Sequence, residues 1–163
     1  MQPMSPAQVR TSLRNVDERA RRTMQLPRDL STLDWAGRDA LAWRDPRARH
    51  RGYIVRWHHN RPEGLLLRVG ASPARPDRAV MCSLCRFTAR FDEVVLLTAP
   101  RRGSAGLRGD AVGILACEDL GCHRKLRSPP APGSLDASIE EIISIRIDGF
   151  ESRLDAFFRA VLR

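Results

Sequence analysis

Cys82-Ser83-Leu84-Cys85 and, after 31 intervening residues, Cys117-Glu118-Asp119-Leu120-Gly121-Cys122 decide how this sequence folds. Two thiolates separated by two residues can grip one metal ion from a tight turn, and a second pair completes a tetrahedron. Zinc prefers this soft four-coordinate shell, with bonds of about 2.3 Å. The four residues are all the cysteines of the chain, so none is left over. Between the pairs, Val94 to Thr98 and Val112 to Ala116 read as the strands of a hairpin. Cys122 falls in the first turn of a following helix, where the dipole favours a thiolate. Knuckle, hairpin, then a helix carrying the last ligand is the order of a treble-clef finger. The spacing predicts one structural zinc ion held by Cys82, Cys85, Cys117 and Cys122.

Competing uses of these residues explain less. A Cys-x-x-Cys redox site would leave Cys117 and Cys122 without a role, and no βαβ pattern surrounds the first pair. An iron–sulfur cluster takes the same four ligands and would colour the protein reddish brown. His123 is a possible substitute for Cys122, although adjacent side chains seldom both reach one ion; a surface or supporting position suits it better. Catalytic zinc keeps an open position for water and usually has three protein ligands, whereas four thiolates fill the tetrahedron. His58 and His59 sit in a predicted turn with no acidic motif beside them. Gly103, Gly106 and Gly109 with Arg101, Arg102 and Arg108 do not match a phosphate-binding loop, and read as a flexible basic hairpin tip. The chain is expected to be no enzyme and to take no small-molecule substrate.

Outward from the cysteines, the C-terminal side holds the longest periodic segment. Ser138-Ile139-Glu140-Glu141 forms a capping box, and Ile143, Ile147, Phe150, Leu154, Phe157 and Val161 follow in steps of four and three. This predicts an amphipathic helix of about 24 residues, roughly 36 Å long at about 1.5 Å per residue. Gly149 inside it costs about 1 kcal/mol against alanine, so packing must stabilise the helix. Ser128-Pro129-Pro130-Ala131-Pro132-Gly133 before it is too proline-rich for regular structure. On the N-terminal side, Ser5-Pro6-Ala7-Gln8 is another capped start, and Val9, Leu13 and Val16 extend a helix from Pro6 to Arg22. Trp35, Leu41 and Trp43 read as core. Tyr53 to Trp57 and Leu65 to Val69 read as strands joined by a long loop, His58 to Gly64, and Ser72 to Asp77 as an exposed connection.

The chain has 163 residues, enough for a core without disulfides, and a formal net charge of +9. Of its 28 basic residues only Lys125 is lysine. Such lopsided arginine use fits a GC-rich genome better than selection for phosphate contacts. From Asp136 to Arg163 six acids face four arginines, so residues 1–135 carry the excess, +11. A basic body attracts acidic partners, protein or RNA. No apolar run is long enough to cross a bilayer, and Met1-Gln-Pro-Met-Ser-Pro lacks the features of a secretory signal. The expected setting is the cytoplasm, with reduced thiols and no membrane partner.

Met81-Cys82-Ser83-Leu84-Cys85, Val94 to Leu97, Val112-Gly113-Ile114-Leu115-Ala116-Cys117 and Asp119-Leu120-Gly121-Cys122 together resemble the C-terminal treble-clef zinc finger of elongation factor G-binding proteins, the family that includes the fusidic-acid-resistance proteins. Leu26-Pro27-Arg28-Asp29-Leu30 and Leu41-Ala42-Trp43-Arg44-Asp45-Pro46 look like its short, arginine-rich actinobacterial members. The resemblance is most specific over 80–127. It implies that the four cysteines hold zinc and that the protein binds the translocating GTPase, which the resistance proteins help to leave the ribosome when the drug stalls it. The resistance proteins carry a separate N-terminal helical bundle; here about 80 residues with one expected helix precede the cysteines.

The fold expected is α+β: a treble-clef finger with β-hairpins, flanked by an N-terminal helix and a long C-terminal amphipathic helix. Residues 1–78 would form a helix-plus-hairpin region packed on a finger domain at 79–163, or the two would merge into one domain. Phe87, Arg101, Arg102, Arg124, Lys125, Phe157 and Phe158 are the candidate partner contacts, by position and chemistry. The alternative function is an RNA- or ribosome-binding module that uses the basic loop 101–108.

Overall fold

Leu65-Leu66-Leu67 is apolar on both faces of a strand, and both faces are buried. Leu65 and Leu67 join one hydrophobic cluster and Leu66 the other. The computed structural model describes residues 1–70, 78–130 and 138–163. The predicted connection at 72–77 and residues 131–133 of the proline-rich stretch lie outside these.

Strands β1 (Leu41–Arg44), β2 (Arg51–His58), β3 (Arg61–Val69), β6 (Val94–Pro100) and β7 (Ala111–Cys117) form one antiparallel sheet in the order β1-β2-β3-β6-β7. The short strands β4 (Val80–Met81) and β5 (Thr88–Ala89) pair around the first cysteine knuckle. Helices α1 (Pro6–Ser12) and α2 (Glu18–Thr23) belong to an N-terminal arm. α3 (Ser104–Leu107) lies between β6 and β7, α4 (Cys122–Leu126) follows the second knuckle, and α5 (Ile139–Leu162) closes the chain. The arm packs Met4, Val9, Leu13 and Met24 on Trp43, Tyr53, Val55 and Leu66. On the opposite face, Phe150, Leu154, Phe158 and Val161 of α5 meet Ile54, Leu65, Leu97 and the cysteines. The α+β class and the treble-clef order therefore stand. No helix of the described residues is long and apolar enough to cross a membrane.

Both capping boxes form as read, at Ser5 with Gln8 and at Ser138 with Glu141. The helix expected from Pro6 to Arg22, however, is two helices. Leu13 leaves α1 to bridge Gly64 in parallel, and the Arg14 N–H donates to the Gly64 carbonyl at 2.9 Å. Asn15 then donates to the Leu66 and Pro100 carbonyls, both at 3.0 Å, and accepts from the Leu66 N–H at 2.8 Å. β3 and β6 pair only at Arg68–Thr98 and Val69–Leu97, so this amide fills the gap where the strands splay. Asp17 caps the restart by accepting from the Ala20 N–H. Gly64 makes the close approach possible: a Cβ there would stand 2.6 Å from the Ser12 hydroxyl.

The long loop expected at His58–Gly64 is instead a two-residue turn. His59 and Asn60 both take positive φ, 47° and 57°, the pair of left-handed residues that suits the twist of a hairpin. Pro62 sits inside β3 opposite Trp57. Even-numbered residues of β3 turn their backbone groups away from β2, as the bonds at Gly64 and Leu66 show, so the missing N–H breaks no ladder bond. The basic tip between β6 and β7 is also more ordered than its glycines suggest. It carries α3, bounded by Gly103 and Gly109 at positive φ, and the Arg102 N–H donates to the Val161 carbonyl of α5.

Candidate metal centre

The two knuckles bring all four cysteines together. Cys82 and Cys85 come from the turn between β4 and β5, Cys117 from the end of β7, and Cys122 from the first turn of α4. All four are buried, and their sulfurs lie within 4.8 Å of one another. The Cys82–Cys122 and Cys85–Cys117 sulfur separations are both 3.8 Å. A tetrahedron with metal–sulfur bonds of about 2.3 Å has edges of about 3.8 Å. The site is sized for one ion.

The local backbone explains how the pairs are held. The Arg86 N–H donates to the Cys82 carbonyl at 2.9 Å, and the Leu120 N–H to the Cys117 carbonyl at 3.0 Å. Arg86 and Leu120 both have positive φ, 64° and 56°, which is strained for side chains without a local polar partner. The Cys85 N–H points at the Cys82 sulfur, 3.4 Å away, as a donor to a thiolate. The Ser83 N–H bonds the Leu115 carbonyl at 2.8 Å and ties the first knuckle to β7. Leu120, beside the second, is buried against Gly52 of β2, where a Cβ would come within 2.9 Å of its Cδ1.

The protonation chemistry of the four thiols fits a cation. Hydrogen bonds from Cys117 and Cys122 lower the pKa values of the Cys82 and Cys85 thiols. Contacts with Cys117, Cys82 and Cys85, reinforced by burial, push Cys122 up. Four buried sulfurs at this spacing cannot all ionise against one another, and a divalent ion at their centre removes that conflict. Burial alone would depress the Lys125 ammonium, but the Cys117 and Cys85 sulfurs with the Asp119 carboxylate together hold it up. Arg153 donates to the Leu84 carbonyl at 2.7 Å, fastening α5 to the first knuckle.

The remaining residues singled out from the sequence are distributed unevenly. Arg102 and Arg124 are exposed, while Phe87, Arg101 and Lys125 are half-buried. Arg124 pairs with Asp119, the Arg101 guanidinium donates to the Ala160 carbonyl, and Arg146 lies 5.0 Å over the Phe87 ring. Phe157 and Phe158 must be corrected as partner contacts. They are 6% and 0% exposed because both fall on the core side of α5, and Arg56 stacks 4.3 Å from the Phe158 ring centre. His123 does not join the sulfurs. It faces a cleft of about 520 Å³ between the arm and the second knuckle, and burial with the charges of Arg38, Arg124 and Arg127 pushes its pKa down to about 4.

His58 is not the acid-free turn residue that the sequence suggested. Its ring nitrogens lie 3.7 Å from Glu63 and 3.8 Å from Asp155 of α5, and Arg56 bonds both carboxylates at 3.1 Å. That cluster clamps α5 to β2. Glu63 stands close to His58 in the sequence, but no local signal announces Asp155, which is far away in the chain.

A family model described as the FBP C-terminal treble-clef zinc-finger matches residues 8–161, nearly the whole chain. Neither the curated proteins nor the solved structures contain a match. The family model and the four-sulfur geometry agree on a zinc-finger site for one metal ion.

Proposed function

We propose, because this chain belongs to the FBP C-terminal treble-clef zinc-finger family, that it is a non-enzymatic adaptor that binds elongation factor G through its protein surface. Cys82, Cys85, Cys117 and Cys122 are the zinc ligands in this reading. Zinc supplies structural cross-linking between two distant stretches of backbone. The observation that carries the reading is the saturated donor set: four buried sulfurs at tetrahedral spacing leave no open position for water or substrate. What remains for function is the surface that the cage holds in shape.

The chain acts by differential binding. A partner moves the factor off the ribosome only by preferring its released conformation, whatever its affinity for the bound one. The second reading, an RNA or ribosome contact through the basic tip, is supported by the excess charge of +11 on residues 1–135 and by exposed Arg102 and Arg108. Arg101 and Arg124 support it less, since each already has an acceptor within the chain.

Calorimetric titration of the zinc-loaded chain with purified elongation factor G, at low and high salt, tests the proposal. Saturable binding that survives high salt is the expected result. No binding to the factor, with rRNA binding that weakens log-linearly and steeply as salt rises, overturns it in favour of the RNA reading.

A further inference from the structure

Backbone groups alternate sides along a strand, so one bond assigns the rest. The Leu115 carbonyl of β7 accepts from Ser83 of the knuckle, on the side away from β6. Ala111 and Gly113 share that direction. Among the described residues, nothing bonds the N–H or carbonyl of either one. Both residues are exposed, while Val112, Ile114 and Leu115 are half-buried by packing against the core cluster.

Proteins blunt such edges with lysine, proline or bulges. Ala111-Val112-Gly113-Ile114-Leu115 contains no proline and no charge, and it pairs with β6 without a register break. The surroundings are selective. Leu107 on α3, four residues before Ala111, is 90% exposed, and Arg102 and Arg108 at the same end are exposed without an ion pair among the described residues. The tip is held in place by the bond from Arg102 to α5.

We infer that the free edge of β7 at Ala111 and Gly113 is a docking site for an extended, carboxylate-bearing segment of the protein partner, added to the sheet as a sixth strand. Backbone pairing supplies the register, Leu107 an apolar contact, and Arg102 and Arg108 the charge preference. The net charge of +9 disfavours a second copy of this chain as the occupant. The inference rests on the reading of a protein partner given above and names how that partner is held.

The test uses the full zinc-loaded chain and elongation factor G, with amide exchange followed residue by residue by NMR. In the free chain the Ala111 and Gly113 amides should exchange fast and those of Val112 and Ile114 slowly. Binding should slow the first pair. Ala111→Pro removes an outward N–H without taking a bond from β6 and should weaken binding about tenfold or more, while Ala111→Ser, which keeps it, should not. Zinc content and thermal midpoint report whether the proline variant folds; if it does not, the exchange pattern decides. Slow exchange at Ala111 and Gly113 in the free chain would mean the chain already covers this edge. That result, or unchanged exchange there while wild type binds, overturns the docking mode and leaves the proposed function standing. Failure of the wild type to bind the factor overturns both.

Discussion

The two faces of the central sheet are built by different means. The arm side assembles from ordinary side chains: Trp43 stacks on Tyr53 at 4.9 Å, Leu66 packs beneath Leu13, and Asn15 satisfies the splayed backbone of β3 and β6. The α5 side has the cysteine cage at its centre, with Ile54, Leu65 and Leu97 in the same cluster. One face is held by side-chain contacts alone, the other by an apolar cluster with the four cysteines built into it. The protein's metal dependence should therefore be lopsided, even though β2 and β3 contribute to both faces.

The largest effect expected is from removing the ion. Structural zinc contributes on the order of 10–16 kcal/mol of apparent binding energy in small fingers, against roughly 5–15 kcal/mol for the net stability of a whole domain. Chelation or Cys117→Ser should release the metal and abolish the cooperative transition over 80–127. Amide exchange separates the faces: residues 80–127 should lose protection first, and Tyr53 to Val55 with Leu66 later. All three tryptophans lie between residues 35 and 57, so indole emission follows the arm side. Simultaneous loss of every signal would show one cooperative unit and erase the distinction. A stably folded metal-free chain would remove the cage from its structural role.

A smaller effect should come from the arm side. Asn15→Ala deletes three hydrogen bonds and leaves the Leu66 N–H without its acceptor. The cost is about 2–4 kcal/mol, which for a chain of this size lowers the thermal midpoint by about 5–15 °C. Zinc stoichiometry should stay at one per chain. If the variant also loses metal, the cage depends on the gap between β3 and β6 being filled, and the faces cannot be separated. Asn15→Asp, which keeps the acceptor for Leu66 but sets an anionic oxygen against both carbonyls, should be no more stable than Asn15→Ala.

The same contrast explains what the sequence could say. Thiolates that share an ion must come in close pairs, so the ligands of the α5 side were legible from spacing alone, as was Cys122 at the start of α4. The capping boxes at Ser5 and Ser138 were legible because their partners are three residues away. Asn15 was not, since its partners are 51 and 85 residues distant and nothing near it marks a break. Arg86 and Leu120 take positive φ because the knuckles impose it, a cause that lies in the folded site and not in their own chemistry. His58 has one carboxylate, Glu63, close by in the sequence, and gains the other, Asp155, from a helix at the far end of the chain. Leu41-Ala42-Trp43-Arg44 escaped notice as β1 because it has no β-branched residue, and pairing with β2 overrides that weak preference.

The smallest effect lies on the arm side and is silent at neutral pH. Tyr53 is the one tyrosine, so phenolate absorbance reports a single residue. Burial, with the adjacent Asp45 carboxylate that its hydroxyl meets at 3.2 Å, pushes its pKa up to about 12. The unfolded value is about 10. A raised folded value means that the native state holds the proton more tightly. The associated stability is fully present below pH of about 10, falls as pH rises through the window to about 12, and amounts to roughly 2–3 kcal/mol. Titration of the zinc-loaded chain should give a phenolate midpoint near the upper end of that window, and Tyr53→Phe should flatten the stability profile across it. A midpoint near 10 with zinc still bound would mean that the arm opens while the cage stays closed, the reverse of the order expected on chelation. The two faces would then be independent in both directions, each able to lose its order without the other.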